Sequence, residues 1–177
     1  MHPLFHPLYI EYCTYFNGNR DYFECHEVLE EYWKQQAPGD KLHPLVGYVQ
    51  LATGMYHWRR NNNIGALKIL KKAIKNFSMN KSSPYFDFID FKTLYKNTEL
   101  VIQAIEKNES FSPFKLTFTN AEFASKVQEQ INQLTKLPSE YLLHKHMLRD
   151  RSDILEMRRL KQIEKLRLSS NQSKENY

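Results

Sequence analysis

From Pro7 to Phe77 apolar residues recur every three to four positions, and three clusters of breakers cut that rhythm into four blocks. The breakers are Asn17–Gly18–Asn19, Pro38–Gly39 and Asn61–Asn62–Asn63. A helical period divided by turn-forming residues dictates consecutive amphipathic helices joined by short connections. The first helix begins near Pro7, a residue suited to a first turn, and lines one side with Leu8, Tyr12, Tyr15 and Phe16. Asp21 opens the second, and Glu24 completes a capping-box spacing. The third has Pro44 near its start. The fourth runs from about Gly65 to Phe77 and buries Leu67, Leu70, Ala73, Ile74 and Phe77.

Beyond Phe77 the pattern weakens. Ser82–Ser83–Pro84 reads as a loop, with Tyr85, Phe86, Phe88 and Ile89 packing locally against the body. Asp90 is positioned to cap a helix that reaches Glu106, and residues 107–118 read as irregular. A capping box from Thr119 to Glu122 then introduces a helix with Phe123, Val127, Ile131 and Leu134 on one side. Pro138–Ser139 interrupts the chain before a last helical region, 140–168. No β-branched alternating run suggests a sheet. The expected fold is all-α: a compact multi-helix bundle over residues 1–148, with an additional C-terminal amphipathic helix and frayed tail over 149–177 docked on the same domain.

The length, 177 residues, suffices for a hydrophobic core without a metal or disulfide as a staple. Eleven Tyr and eleven Phe beside only five Gly argue against disorder. The net charge of +5 lies in the ordinary solubility range, with no dense basic run. The N-terminus does not resemble a secretory signal, and no stretch approaches the length of a membrane span. Two cysteines, Cys13 and Cys25, without a disulfide framework suit a reducing compartment, so the expected location is cytoplasmic. Cys25 reads as a small buried hydrophobe.

The strongest local oddity is Tyr22–Phe23–Glu24–Cys25–His26–Glu27–Val28–Leu29–Glu30–Glu31–Tyr32–Trp33. At four residues' separation His26 and Glu30 lie within roughly 40° of one another around the helix. Tyr22, Phe23, Leu29 and Trp33 surround the same side, so an apolar face carries an imidazole and a carboxylate. Glu27 sits at its edge. The third helix offers a counterpart in Val46, Gly47, Gln50, Thr53, Gly54 and His57, whose two glycines permit close backbone approach. The short connection makes the two helices antiparallel neighbours.

Three chemistries fit this set. A small polar or amphipathic molecule would use His26, Glu30, Trp33, Gln50 and His57 as a ligand-binding wall. A divalent transition metal would take His26, Glu30 and His57 as ligands, with Glu27 as the catalytic proton-transfer group of a mononuclear hydrolase and Gln50 as an orienter. Alternatively the groups satisfy one another as an internal hydrogen-bond network. The HExxE string is less specific than a metalloprotease HExxH, because Glu30 stands where the second histidine would be.

The run Phe16 to Trp33 resembles the opening signature of domain-of-unknown-function family 309. A second match is Gly47–Tyr48–Val49–Gln50–Leu51–Ala52, followed by His57 and Gly65–Ala66. The two cover about residues 10–75. The resemblance implies a compact helical fold and places His26, Glu27, Glu30, Trp33, Gly47, Gln50, His57, Gly65 and Ala66 on the family's pattern, without assigned catalytic roles. Cys25 replaces the usual small residue before the histidine. Asn61 replaces the usual glycine after the third helix, a position it can fill in the left-handed conformation.

Charge and amphipathicity bear on other partners. Arg59 and Arg60 end the third helix, and Lys71, Lys72 and Lys75 follow on a basic face. Nucleic acid is disfavoured, because basic residues at a helix C-terminus also answer its dipole. In the 140–168 region Leu142, Leu143, Met147, Ile154, Met157, Leu160, Ile163 and Leu166 form an imperfect apolar stripe, amid Arg151, Arg158, Arg159, Lys161, Lys165 and Arg167. Docking within the chain is the expectation for this stripe, with homo-oligomer contact as the alternative.

Overall fold

The structure, a computed structural model, describes residues 1–148 with Arg159, Leu160, Gln162 and Ile163, and within residues 1–148 it has seven α-helices. They are α1 (Pro7–Asn17), α2 (Tyr22–Gln36), α3 (Pro44–Arg59), α4 (Asn63–Asn80), α5 (Phe91–Glu106), α6 (Ala121–Gln133) and α7 (Ser139–Leu148). Short 3-10 turns occupy Pro3–Phe5 and Pro84–Phe86. An isolated antiparallel bridge between Ile89 and Phe118 ties the two irregular stretches together. The chain divides into two units, Met1–Leu143 and His144–Tyr177, and the helical bundle is the first. The all-α expectation holds.

The sequence itself punctuates these helices. His-Pro-Leu occurs three times, at His2–Leu4, His6–Leu8 and His43–Leu45, and each copy begins a helical segment. Proline takes the first position, where no N–H is needed. The histidine is the cap: its Nδ1 accepts from the backbone N–H of the leucine at 3.3 Å in all three. Asp21, Asn62, Asp90 and Asn120 cap α2, α4, α5 and α6 in the usual way, each accepting from the N–H three residues on. Asn120, not Thr119, caps α6. Thr119 instead donates its hydroxyl to the carbonyl of Asp87 at 3.1 Å, as part of the Ile89–Phe118 bridge region. The reading from Thr119 and Glu122 is therefore corrected by one residue.

α3 has no single apolar face. Leu45, Tyr48, Leu51, Ala52, Met55 and Trp58 are buried, and with the buried Gly47, Gly54 and Tyr56 they take in more than half of the helix circumference. A helix apolar on several sides must lie inside the bundle. α3 is accordingly packed between α2 and α4, while α1 packs on α2 and α6, and α4 on α5. Around it the core is aromatic. The ring of Tyr48 meets Tyr9, Tyr12, Phe77 and Phe86 at centroid separations of 5.2–5.8 Å. Buried phenols need partners for their hydroxyls. Tyr12 donates to the carbonyl of Tyr48, Tyr48 to that of Tyr85 and Tyr32 to that of Pro3, all at 2.8–2.9 Å. The first ties α1 to α3, and the other two tie helices to the 3-10 turns. Cys13 and Cys25 are free, buried thiols whose ionisation burial opposes, so Cys25 behaves as a packed apolar residue.

The two glycines of α3 face α4. A Cβ on Gly47 would lie 2.5 Å from Asn76 Oδ1 and 2.8 Å from the Phe77 ring, and one on Gly54 would collide with Leu70. The close approach expected from these glycines is real, but it serves α4 and not α2. Substitution Gly54→Ala should therefore cost stability even though alanine favours a helix by about 1 kcal/mol over glycine. Leu70 is fully buried and has nowhere to go. A net loss of about 2 kcal/mol in urea unfolding is the expected result. An unchanged or raised midpoint would show that the α3–α4 spacing is not set by this contact.

Candidate functional site

The face singled out in the sequence lies where α2 runs beside α3. Asp21 caps α2 through the N–H of Glu24 at 3.1 Å, and this fixes where the helix begins. The helical spacing then sets His26, Glu27 and Glu30 on one half-buried strip, while Cys25 and Leu29 on the adjoining strip enter the core. Two contacts give the pairing of the helices. Arg59 Nη1 donates to the carbonyl of Arg20 at 2.7 Å, and the rings of Tyr56 and Phe23 are 6.0 Å apart. The C-terminus of α3 therefore meets the N-terminus of α2, as the short connection implied. Counting along the two helices from the Phe23–Tyr56 pair brings Thr53 level with His26 and Gln50 level with Leu29, one residue short of Glu30. His57 falls a further turn away, level with Tyr22.

His26 lies between two carboxylates. Its Nδ1 is 3.2 Å from Glu27 Oε1, and its Nε2 is 3.2 Å from Glu30 Oε2. A neutral ring carries one N–H, so it can donate to only one of them; both contacts become hydrogen bonds only on the doubly protonated ring. Glu30 is shared with Lys34, whose Nζ is 2.6 Å from Oε1. About a third of each of the His26, Glu27 and Glu30 side chains is exposed, so the cluster is open to solvent on one side. Such an arrangement can pass a proton between imidazole and carboxylate, and it can accept donors from a bound molecule.

Gln50 is the anomaly on the facing helix. Its Oε1 is buried and has no hydrogen-bond partner among the described residues. Buried polar atoms in folded proteins almost always find a partner, and an orphan costs roughly 1–3 kcal/mol. The neighbouring Thr53 is satisfied locally, donating its hydroxyl to the carbonyl of Val49 at 2.8 Å.

The remaining two residues of the expected set serve the helix ends. Trp33 is half-buried, and its indole N–H donates to the carbonyl of Asp40 at 2.8 Å, closing the turn between α2 and α3. His57 meets Asn62 with Nδ1 at 3.2 Å from the amide nitrogen. Asn62 uses its oxygen to cap α4 through the N–H of Gly65, so its amide nitrogen must donate and His57 Nδ1 must accept. The proton of the neutral ring then resides on Nε2. A metal at that nitrogen would require Asn62 to turn its amide over and surrender the cap. Among the described residues no three His, Cys, Asp or Glu side chains are grouped to hold a metal ion. Asn61 has φ 59°, so it takes the left-handed conformation expected of it after α3.

Outside this face the structure shows a cleft of about 330 Å³ between α5 and residues 107–114, floored by Trp58 and lined by Asn97, Leu100, Gln103 and Phe114. Sequence reading missed it. Its only signal was the exposed Leu100 within an otherwise regular amphipathic helix. Leu142 of the C-terminal stripe is buried and Leu143 partly buried, while Met147, Leu160 and Ile163 are exposed; Ile154, Met157 and Leu166 lie outside the described residues. No helix among the described residues is long and apolar enough to cross a membrane.

Two histidines couple stability to pH. Burial, with the Arg60 charge beside it, pulls His57 below the ordinary imidazole value of 6.5, and burial pulls His43 below it as well. Each then binds its proton less readily folded than unfolded, so the unfolded chain takes up more protons as the pH falls through 6.5. Stability contributed by the neutral rings is complete above that value and is lost progressively below it. His43→Asn, which keeps a side-chain oxygen for the cap on Leu45, and His57→Gln should each flatten the fall in unfolding free energy between about pH 7 and pH 5. Equal slopes in the variants and the parent protein would remove these two rings as the cause.

Comparison with known proteins places the same residues in a wider group. The model of the Domain of unknown function (DUF309) matches residues 9–69, which span α1, α2, α3 and the first turns of α4. The chain is 32% identical over 168 residues to the uncharacterized protein YpuF of Bacillus subtilis (strain 168), an alignment covering 91% of this chain and 96% of that protein. No solved structure gives a significant match. With the family model on the helices that carry the His26 and Gln50 face, and a relative aligned almost end to end, the chain belongs to the DUF309 family.

Proposed function

We propose that the α2–α3 face binds a small polar molecule bearing hydroxyl or ammonium donors. The observation that carries this reading is the buried, unpartnered Oε1 of Gln50, one residue short of the helical level of Glu30. The atom is an acceptor, and the carboxylates of Glu27 and Glu30 beside His26 are acceptors too. A set dominated by acceptors suits a ligand that donates. His26 completes it as the one group that can change from donor to acceptor. Trp33 holds the turn at one end of this face, and the His57–Asn62 pair holds the cap at the other.

The proposal separates cleanly from a purely internal network. A site kept ready for a ligand leaves an acceptor unsatisfied, at a cost to the empty protein that an apolar residue of similar size removes. Gln50→Leu should raise the thermal midpoint by about 2–4 °C, the shift expected of roughly 1 kcal/mol in a protein of this size. In the parent protein, NMR screening against small polyols and amines should shift the Gln50 side-chain amide and the His26 ring together, and Gln50→Leu should abolish that response. A Gln50→Leu protein that unfolds at lower temperature would mean that Gln50 already bonds within the protein, and the ligand reading would lose its support.

A further inference from the structure

The corner where the end of α3 meets the start of α2 holds a second arrangement of charge, unrelated to His26. Arg59 is largely buried there, its guanidinium 4.9 Å above the ring of Tyr22, 5.9 Å from that of Tyr56 and 6.0 Å from that of Phe111. Arg60 lies 5.3 Å from the Tyr56 ring on another side. None of the ion pairs among the described residues involves Arg20, Arg59 or Arg60. Asp21 acts on Arg59 electrostatically, but its carboxylate is occupied in capping α2.

The two terminal nitrogens of Arg59 are satisfied by neutral oxygens alone. Nη1 donates to the carbonyl of Arg20 at 2.7 Å, on the solvent side, and Nη2 donates to the carbonyl of Leu142 at 3.1 Å. Its Nε is buried without a partner, and so is the hydroxyl of Tyr22, a side chain with no exposed surface. Guanidinium prefers a charged, bidentate acceptor, and such pairs are roughly twice as strong as bonds to neutral groups. A main-chain carbonyl is a weak occupant of that position. Ser139–Leu143, which supplies it, follows a stretch without regular structure from Leu134 to Pro138, and the buried side chain of Leu142 is part of what holds it.

We propose that Arg59, with Arg20 beside it, forms an oxyanion site at the α2–α3 corner, and that a bound carboxylate or phosphate group takes the place of the Leu142 carbonyl and frees Ser139–Leu143. The oxyanion bridges Nη1 and Nη2 from the open side. Arg20, exposed at its left-handed position with φ 57°, adds a second positive charge. The aromatic rings beneath Arg59 hold its plane fixed, so the fork is preorganised for two oxygens.

Full-length protein titrated with sodium phosphate, and separately with sodium acetate, at ionic strength held constant with chloride, provides the test. Backbone hydrogen exchange of Ser139–Leu143 is followed by mass spectrometry. The expected result is a saturable acceleration of about five-fold or more in that segment, with α1–α3 unchanged. A response to phosphate alone identifies a phosphate group as the ligand chemistry, and a response to both anions identifies a general carboxylate or phosphate site. Arg59→Lys keeps the charge but loses the fork and should abolish saturation. Arg20→Ala, at an exposed position, should weaken it several-fold without changing the thermal midpoint. Exchange that fails to saturate with either anion, or that rises equally with chloride, overturns the proposal. So does an Arg59→Lys protein that responds like the parent. Should Arg59→Lys not fold, an Arg20→Ala titration indistinguishable from the parent overturns it instead.

Discussion

The closeness of α3 to α4 is the constraint on which the bundle depends. Gly47 and Gly54, one on each half of α3, bring its backbone against Asn76, Phe77 and Leu70. With α4 pressed onto that side, the other flank of α3 is left for α2, and the helix is enclosed. Enclosure explains why Tyr48 can gather four aromatic rings, and why the polar side chains of Gln50 and Thr53 on α3 are partly buried. Thr53 meets this by bonding back to Val49. Gln50, with a longer side chain, does not meet it for its oxygen.

From that placement the polar face of α2 acquires its meaning. Alone on a surface helix, His26, Glu27, Glu30 and Lys34 would be an ordinary solvated charge ladder worth a few tenths of a kcal/mol per pair. Beside α3, where the amide oxygen of Gln50 is unpartnered, the same ladder is one wall of the acceptor site that we propose. His57 belongs to a different device. Its Nδ1 supports Asn62, which caps α4, so this histidine stabilises the helix that holds α3 in place.

Much of this was legible in the sequence, and the remainder was hidden for definite reasons. Apolar recurrence and breakers located the helices, because both act within a few residues. Periodicity gives the directions of side chains around one helix but not the neighbour that each direction meets. Gly47, Gln50, Gly54 and His57 therefore read as one strip facing α2, whereas the glycines face α4 and His57 turns to its own connection. The role of His2, His6 and His43 as caps escaped because histidine is an uncommon cap; the repeated His-Pro-Leu was the available signal. Thr119 and Asn120 are both good caps, and the bond from Thr119 to Asp87, across 32 residues, leaves Asn120 to accept from Phe123.

A high-resolution crystal structure of the protein as purified would test the central claim most directly, through the surroundings of Gln50 Oε1. The account predicts a donor that is not part of the chain, a water or a small molecule, at about 3 Å from that oxygen and on the side of His26 and Glu30. A Gln50 side chain turned so that its oxygen accepts from a protein N–H or O–H, with His26 and Glu30 closed over it, would contradict the account and make the face a finished internal network.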